Sequence, residues 1–494
     1  MIARLLLPVL ILLPVLSGPA RAERIELGDG SVLMGTLGET GGDTVTVRLD
    51  LGPVITLKRS DLVRRDTGAV PGVLRLHGSN PMGERLVPAL IERFLAGHGA
   101  GAAPWLAGSQ PLEKTLIVAG GDADLPHEIE VRAFGSSTAF AALQTGAADI
   151  GLSSRRIRES ESAALRRSGS VSEQLTALDG IAAVVHPGNP VRALTLAQLA
   201  AIFSGEITDW GAVGGTPGPI ALRLPDERSA LPEIFQAQAM SGRRISPTAE
   251  RFESSQEIAA RVAAEPGTIA LVSLAFIDQA RALDIRSCSG IVAPTPFSIK
   301  AGDYPLSRAL YLYGKPQPRP PVIDQFMNFA AGSAGQSAIA AAGFVNLEIE
   351  NDNGATRRSR RQVLIDDSTI DLSLARAFLK ITEGAGRLSL TFRFDEGSIT
   401  PTGTADDEIR RLISYMKSPA GQGRQLLVLG FSGPTGIIQT GAALSDKRAK
   451  EIAARLSRSG LKVAATAGFG PLTARCPDAP DARDRSRSVE VWAR

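Results

Sequence analysis

Cysteine, histidine and aromatic residues are all scarce in this sequence. Its 494 residues include 2 cysteines, 4 histidines and 5% aromatic residues. The histidines (His77, His98, His127 and His186) lack the close spacing of metal ligands, so we expect no metal and no cofactor. The low aromatic content argues against a stacking platform for single-stranded nucleic acid.

The sequence also lacks an excess of charge of one sign. The chain has 54 lysine and arginine residues against 51 aspartate and glutamate residues, which gives a formal net charge of +3. No part of it shows the basic stripe of a nucleic-acid-binding protein. The composition therefore predicts no nucleic-acid partner.

Long hydrophobic runs are absent after the N-terminus. There, Arg4 precedes an apolar run over residues 5–16 and an A-x-A sequence at 20–22, which is the pattern of a cleaved signal peptide. The run is too short to cross a bilayer. We expect a signal peptide over residues 1–22, export to the periplasm and no integral membrane segment.

The two cysteines leave two alternatives open in an oxidising compartment. Cys288 and Cys476 are far apart in sequence and fall in different predicted domains. This separation favours two unpaired thiols, and a single disulfide is the other alternative.

Strand and helix patterns divide the remaining chain into four segments. Residues 24–66 alternate β-branched runs with turn signals and predict a small all-β module. Residues 71–349 alternate short apolar strands with amphipathic helices, which predicts open α/β layers ending in a helix and a closing strand. A polar linker over 350–384 and a compact α/β domain over 385–494 follow.

The predicted linker carries a cluster of four arginines, Arg357, Arg358, Arg360 and Arg361. A solvated charge run is the first interpretation, and contact with an anionic lipid or polymer is the alternative.

Three strand–turn–helix segments of residues 71–349 contain small hydroxyl residues. They are Gly78-Ser79-Asn80, the stretch "VRAFGSSTAF" at 131–140, and Ser153-Ser154-Arg155. Helix N-termini offer unpaired N–H groups and a partial positive charge, so such turns can hold an oxyanion without a full counter-charge. Ordinary helix capping by serine and threonine is the alternative.

Residues 71–349 resemble the phosphate-binding protein of the high-affinity phosphate ABC transporter. The resemblance rests on "LHGSNPMGERLVPAL", "GSSTAFAALQTGAADIGLSSR", "DGIAAVVHPGNPVRALTLAQLAAIFSGEITDWGAVGG" and "YPLSRALYLY". It implies an α/β, two-lobed type II periplasmic-binding-protein fold that closes on phosphate, with an ABC permease as partner. The ligand-binding residues that it implies are Ser79, Asn80, Ser136, Ser137, Thr138, Ser154, Arg155 and Ser229.

Three positions in two loops depart from that family. Ser154 stands where some members have an aspartate that accepts the phosphate proton. In the third loop Ser229 is kept, but Ala230 and Leu231 replace a glycine and a threonine, which removes one hydroxyl donor. Compensation by Arg223 or Arg228 is one interpretation, and a solvated surface charge is the other.

Residues 388–494 resemble the OmpA-like peptidoglycan-associating domain. The matching pieces are "LTFRFDEGSITPTG", "LLVLGFSGPTGIIQTGAALSDKRAKEIAARLSRSGL" and "DRSRSVEVW". In that family an aspartate and an arginine bind the diaminopimelate of the peptide stem. Arg448 corresponds to the arginine, whereas Gly433 replaces the aspartate and Asp446 lies on a different helix face. Peptidoglycan binding through Arg448 is thus in doubt.

Together these features predict a periplasmic solute-binding protein for phosphate or a related oxyanion, associated with the cell wall through its OmpA-like domain. The alternative is a non-transport envelope scaffold or sensor with degenerate ligand and peptidoglycan sites. We expect no enzyme, because the sequence shows no nucleophile with a histidine partner, no paired carboxylates and no metal cluster.

Overall fold

The computed structural model of the chain describes most residues from Glu23 onward. The described residues are 23–27, 32–39, 44–49, 53–58, 62–66, 72–102, 104–122, 124–166, 169, 171–287, 290–366, 370–402, 405–433, 438–472 and 486–494. The predicted signal peptide and both cysteines lie outside them. The chain divides into two compact units, residues 1–72 and 73–494.

The first unit contains a five-stranded antiparallel sheet. Its strands are β1 (Glu23–Leu27), β2 (Val32–Glu39), β3 (Thr44–Leu49), β4 (Val54–Lys58) and β5 (Leu62–Asp66). They lie in the order β4-β3-β2-β1-β5, so four consecutive strands form a meander and the fifth pairs with the first. Alternation along β3 buries Val45 and Val47 on one face. This sheet occupies the segment for which the sequence predicts a small all-β module.

Strands and helices alternate from residue 73 onward. The strands are β6 (Val73–Gly78), β7 (Ala100–Ala102), β8 (Leu106–Ala107), β9 (Glu113–Gly120), β10 (Glu128–Arg132), β11 (Ile150–Ser153), β12 (Ser172–Val185), β13 (Ala193–Leu194), β14 (Ala221–Pro225), β15 (Glu250–Phe252), β16 (Thr268–Ser273), β17 (Arg281–Ala282), β18 (Asp284–Ser287), β19 (Gly290–Val292) and β20 (Ser307–Gly314). The helices are α1 (Val87–Gly97), α2 (Ser136–Thr145), α3 (Glu159–Leu165), α4 (Leu196–Ser204), α5 (Ala230–Ala239), α6 (Ser255–Ala264), α7 (Pro296–Lys300), α8 (Pro321–Ala331) and α9 (Ser333–Ala341). A π-helical turn, Met82–Leu86, precedes α1, and 3-10 turns lie at Trp210–Val213 and Leu274–Phe276.

A twelve-stranded sheet joins most of these strands, with the main order β15-β14-β16-β12-β20-β11-β6-β10-β9-β7. The long strand β12 pairs with β20 along its first part and with β16 along its last part. It therefore connects two halves. The first half contains β6, β10 and β11, which are parallel, and the second half contains the parallel strands β14, β15 and β16.

The two halves share part of their hydrophobic core. One buried cluster includes Leu76 and Val131 of the first half together with Ile258 and Val272 of the second. Another cluster lies in the second half and includes Phe235, a side chain whose burial contributes about 1.5–3 kcal/mol. Packing of this kind on a sheet holds the strand ends in fixed positions.

The predicted closing strand after α9 is wrong in detail. Only Val345 pairs with β12, through two hydrogen bonds with Leu178 (2.8 and 3.0 Å). The next available donor, the Leu347 N–H, is bound by the Gln336 side chain at 2.6 Å, so the ladder stops there.

The C-terminal part places a four-stranded sheet between helices. Its helices are α10 (Ala355–Asp366), α11 (Leu372–Ile381), α12 (Ala405–Lys417) and α13 (Ile438–Arg458), and its strands are β21 (Gly386–Arg393), β22 (Leu426–Phe431), β23 (Val463–Gly468) and β24 (Ser488–Ala493). The strand order is β21-β24-β22-β23. A mixed α/β architecture is thereby confirmed. Within the described part of the chain, no helix is long and apolar enough to cross a membrane.

The helices α10 and α11 correct the prediction of a polar linker over 350–384. Arg360 is not a solvated charge, because its guanidinium binds the buried Glu490 carboxylate at 2.6 and 2.8 Å and lies over the Phe431 ring. Arg357 donates to the Leu379 carbonyl at 3.0 Å. Burial of Phe378 against the sheet makes this segment part of the C-terminal core.

Ion pairs of two buried cations and one further hydrogen bond attach the C-terminal part to the second half of the central sheet, and we call this contact the junction. Arg387 is 1% exposed and binds Asp303 bidentately at 2.6 and 3.0 Å. Lys300, at the end of α7, binds Glu350 at 2.6 Å. The Arg411 Nε donates to the Leu347 carbonyl at 2.6 Å. The C-terminal part is thus fixed to its neighbour by directional contacts.

Candidate oxyanion-binding site

The three hydroxyl-rich turns meet at one edge of the sheet. Strands β10, β6 and β11 are parallel neighbours, so their C-terminal ends lie side by side. Ser79 follows β6, Ser136 begins the helix after β10, and Ser154 follows β11. Ligands of open α/β sheets commonly bind at this edge.

The three serine hydroxyls form a connected cluster, which we call the serine cluster. Ser79 Oγ lies 2.5 Å from Ser154 Oγ, and the Ser154 N–H donates to Ser136 Oγ at 3.0 Å. All three residues are at most 2% exposed. Hydroxyls both donate and accept hydrogen bonds, so the cluster can bind a protonated or an unprotonated oxyanion without adding a full charge.

Two glycines permit this close arrangement. Gly78 has φ +142°, and a Cβ there would lie 2.1 Å from the Leu152 carbonyl oxygen. Gly135 has φ +106°, and a Cβ there would lie 1.9 Å from the carbonyl oxygen of Arg228 in the second half. The two halves are therefore in contact at this point.

Helix α2 presents an open N-terminus beside the serine cluster. Its N-cap residue is Gly135, which has no side chain to accept the first N–H groups. The N–H groups of Ser136 and Ser137 have no acceptor within the helix, and the helix dipole adds a partial positive charge. This N-terminus supplies donors that an oxyanion can use.

The other hydroxyl and amide residues expected at the site are placed differently. Ser137 is exposed, and the Thr138 hydroxyl donates to the Gly135 carbonyl at 2.8 Å. Ser229 caps α5 by accepting from the Leu231 N–H at 3.3 Å. Asn80 is 3% exposed and its Oδ1 is buried without a partner among the described residues. Of the eight residues expected at the site, the buried ones are thus the serine cluster, Asn80 and Ser229.

Arg155 lies beside the serine cluster with its charge already paired. Its guanidinium binds Glu161 bidentately at 2.6 and 2.8 Å and lies 5.3 Å from the Phe140 ring centroid. The hydrogen bonds that Arg155 donates to the Glu161 carboxylate are the main reason that the pKa of Arg155 is raised. Burial would raise the pKa of Glu161, but the hydrogen bonds from Arg155 and from the Arg158 N–H lower it.

The two candidate arginines of the third loop occupy different places. Arg228 lies where the halves touch and pairs with Asp226 and Glu253, both at 2.6 Å. Arg223 pairs with Glu250 and Glu265 at 3.3 and 3.1 Å. Leu231 is buried in the core of the second half. Arg228 is therefore the arginine at the rim of the site, and its charge is also paired.

Sequence reasoning missed the acidic partners of these arginines. Glu161 lies six residues after Arg155, where it also closes the capping box of α3. A glutamate at this capping position is a pattern that can be recognised in the sequence. Glu253 is distant from Arg228 in the chain, and only the pairing of β14 with β15 brings the two together.

Arg448 of the C-terminal part is completely buried. Its Nε and Nη2 donate to the carbonyl oxygens of Ser398 (2.8 Å) and Asp395 (3.0 Å), and its Nη1 has no partner among the described residues. Burial, with a smaller contribution from the charge of Arg487, lowers its pKa. Asp446 pairs instead with Lys450 at 2.7 Å. The described residues thus place no carboxylate on this guanidinium.

Comparison with known proteins shows a similarity for the central part of the chain. Residues 106–334 match the family model PBP_like_2, described as a PBP superfamily domain. We call residues 73–341, which run from β6 to α9 and include this match, the PBP-like domain.

Two proteins of known name resemble part of the chain. The chain is 26% identical over 239 residues to the phosphate-binding protein PstS of Pseudomonas aeruginosa, covering 44% of this chain and 74% of that protein. It is 27% identical over 191 residues to PstS of Bacillus subtilis, covering 38% and 61%.

Among solved structures, the chain resembles in part an ABC-type phosphate transport receptor from Vibrio cholerae. The identity is 23% and the TM-score is 0.42, with 55% of this chain and 99% of that chain covered. PstS from Borrelia burgdorferi is 20% identical with a TM-score of 0.37, and 56% and 98% are covered.

Proposed function

We propose that this protein is a periplasmic solute-binding protein for phosphate or a closely related oxyanion. The observation that carries the proposal is the serine cluster, in which three buried hydroxyls adjoin the uncapped N-terminus of α2. Relatives whose names describe phosphate binding support the choice of ligand. An ABC permease is the partner that such a receptor serves.

Binding would rely on neutral donors and on the approach of the two halves. Arg155 and Arg228 have carboxylate partners, so neither offers an unpaired charge. Dehydrated oxyanions can be stabilised by N–H and O–H dipoles alone when the site is buried. Ligand would then favour the arrangement in which Gly135 and the Arg228 carbonyl are in contact.

Calorimetric titration tests this proposal. The purified protein is first unfolded and refolded to remove any bound ligand, and then titrated with phosphate, with sulfate as the control anion. We expect phosphate to bind, and Ser136→Ala to weaken binding about tenfold or more because it removes one donor and disturbs Ser154. Thr145→Ala, at the other end of the same helix, is the matched control. No heat with phosphate would contradict the proposal.

The alternative of an envelope scaffold or sensor is favoured by one observation in the C-terminal part. Arg448 is buried, and a glycine, Gly433, stands where the family resemblance implies an aspartate. The expected function has two parts, oxyanion binding and association with the cell wall. We infer that the second part has less support. Co-sedimentation with purified peptidoglycan tests the wall association. A receptor held at the wall must sediment with the peptidoglycan, and Arg448→Met must abolish this co-sedimentation. A protein that neither sediments nor binds an oxyanion would leave the envelope scaffold or sensor as the remaining alternative.

A further inference from the structure

The structure holds a second set of contacts between the halves of the PBP-like domain, outside the serine cluster. The π-helical turn Met82–Leu86 packs on β6 and β11 in the first half, whereas α6 packs on β14 and β16 in the second half. Two adjacent residues of this turn, Glu84 and Arg85, reach across to the second half.

The Glu84 carboxylate is bound at the N-terminus of α6. It accepts from the Ser254 hydroxyl at 2.7 Å, from the Ser255 N–H at 3.2 Å and from the Gln256 N–H at 3.3 Å. A carboxylate at a helix N-terminus satisfies unpaired N–H groups and interacts favourably with the helix dipole. Here the carboxylate comes from the opposite half of the domain, so the cap is also a contact between the halves.

Arg85 makes a parallel contact from the next position. Its guanidinium donates to the Ala275 carbonyl and to Asp278 (3.2 Å), and it lies 4.3 Å from the Phe276 ring centroid. These three partners belong to the segment that follows β16. Acidic and basic groups of one turn therefore bind two separate elements of the second half.

Both ends of this contact adjoin the candidate site. Glu84 lies in the turn that begins at Met82, two residues after Asn80. Its partner Ser254 follows Glu253, which binds Arg228 at 2.6 Å, and the Arg228 carbonyl is the group that meets Gly135. A displacement of α6 relative to the turn would accordingly be transmitted to the site from both sides.

We propose that Glu84 and Arg85 form a clasp that positions the two halves for ligand binding without contacting the ligand. This proposal deepens the proposed function and rests on it for the ligand. The clasp holds the arrangement in which Gly135 meets the Arg228 carbonyl, so a weaker clasp lets the halves separate more often and releases the oxyanion faster. Glu84 is in this sense a positioning residue.

The test compares Glu84→Ala and Glu84→Gln with the wild-type protein. We expect the phosphate dissociation rate to rise about tenfold in Glu84→Ala, within the usual range of coupling between distant groups. Glu84→Gln keeps one acceptor oxygen and should lie between Glu84→Ala and the wild type. The matched control is Glu92→Ala, which removes a carboxylate of α1 that binds Trp105 within the first half.

Hydrogen exchange without ligand separates the clasp from a merely structural cap. If the clasp holds the halves, Glu84→Ala must lower amide protection at Ser79 and Ser154, whose N–H groups are hydrogen-bonded in the first half, as well as at Ser255 and Gln256. Loss confined to the first turn of α6, or an unchanged dissociation rate, would overturn the proposal. If the wild-type protein binds no phosphate, the proposed function fails, and the exchange pattern alone still decides whether the clasp exists.

Discussion

The serine cluster and the junction use polar groups in opposite ways. The serine cluster buries neutral hydroxyls, and the nearby Arg155 is paired with Glu161. The junction buries full charges, with Arg387 placed between Asp303 and Glu490. Buried charges demand fixed partners because an unpaired charge is costly, whereas hydroxyls can exchange partners with a ligand. The junction is therefore suited to a rigid connection, and the serine cluster is suited to a site where a ligand can replace the internal hydrogen-bond partners.

The largest effect is expected from breaking the junction. Arg387→Met removes the guanidinium that binds Asp303 and leaves Glu490 with Arg360 alone, so we expect a loss of about 3–5 kcal/mol in unfolding free energy. Urea unfolding followed by circular dichroism measures it. Arg410→Met is the control, because this exposed arginine pairs only at the surface with Asp407. A loss similar to the control's would mean that the junction does not stabilise the protein.

Acid should weaken the same network. Burial would raise the pKa of Glu490, but Arg360 and Arg387 outweigh it and lower the pKa from 4.5 to about 2. A carboxyl group with a lowered pKa stabilises the fold above its ordinary pKa, and this stability is lost as the pH falls toward 2. The loss amounts to about 3 kcal/mol at 1.36 kcal/mol per pKa unit.

Unfolding free energies measured between pH 6 and 2 check this prediction. This range includes both the ordinary pKa of 4.5 and the lowered pKa of about 2. Glu490→Gln should have a flatter pH dependence than the wild-type protein. An equally steep curve would show that other carboxyl groups cause the acid sensitivity.

An intermediate effect is expected where the halves of the PBP-like domain touch. Gly135→Ala places a Cβ at φ +106° and 1.9 Å from the Arg228 carbonyl oxygen. Backbone strain of this kind costs of order 1–3 kcal/mol, and the collision opposes the approach of the halves. We expect lower stability and weaker phosphate binding together, measured by thermal unfolding with and without phosphate. Gly146→Ala, which has open space at the end of α2, should lower stability without changing the shift that phosphate produces.

The fold was more predictable from the sequence than the site. Apolar periodicity located β6, β10 and β11, and their parallel order follows from the alternation of strands and helices. The turn residues therefore indicated that Ser79, Ser136 and Ser154 would meet. The partners of the charged residues were not predictable, because Glu253 with Arg228 and Asp303 with Arg387 meet only through tertiary packing. The arginine-rich segment was misread for the same reason, since Glu490, which pairs with Arg360, is distant in sequence.

The smallest effect is expected beside the serine cluster, where the Arg155 charge is paired with Glu161. If the Arg155 charge is compensated by Glu161, then Glu161→Gln should free the guanidinium and strengthen oxyanion binding. Half-buried ion pairs change such free energies by about 0.5–1 kcal/mol, so we expect a gain on the order of threefold in phosphate affinity. Titration of Glu161→Gln beside Glu159→Gln, an exposed carboxylate of the same helix, measures it. An unchanged affinity would mean that Arg155 stabilises the turn and that its charge does not contribute to phosphate binding. Hydroxyl and N–H groups alone would then bind the ligand.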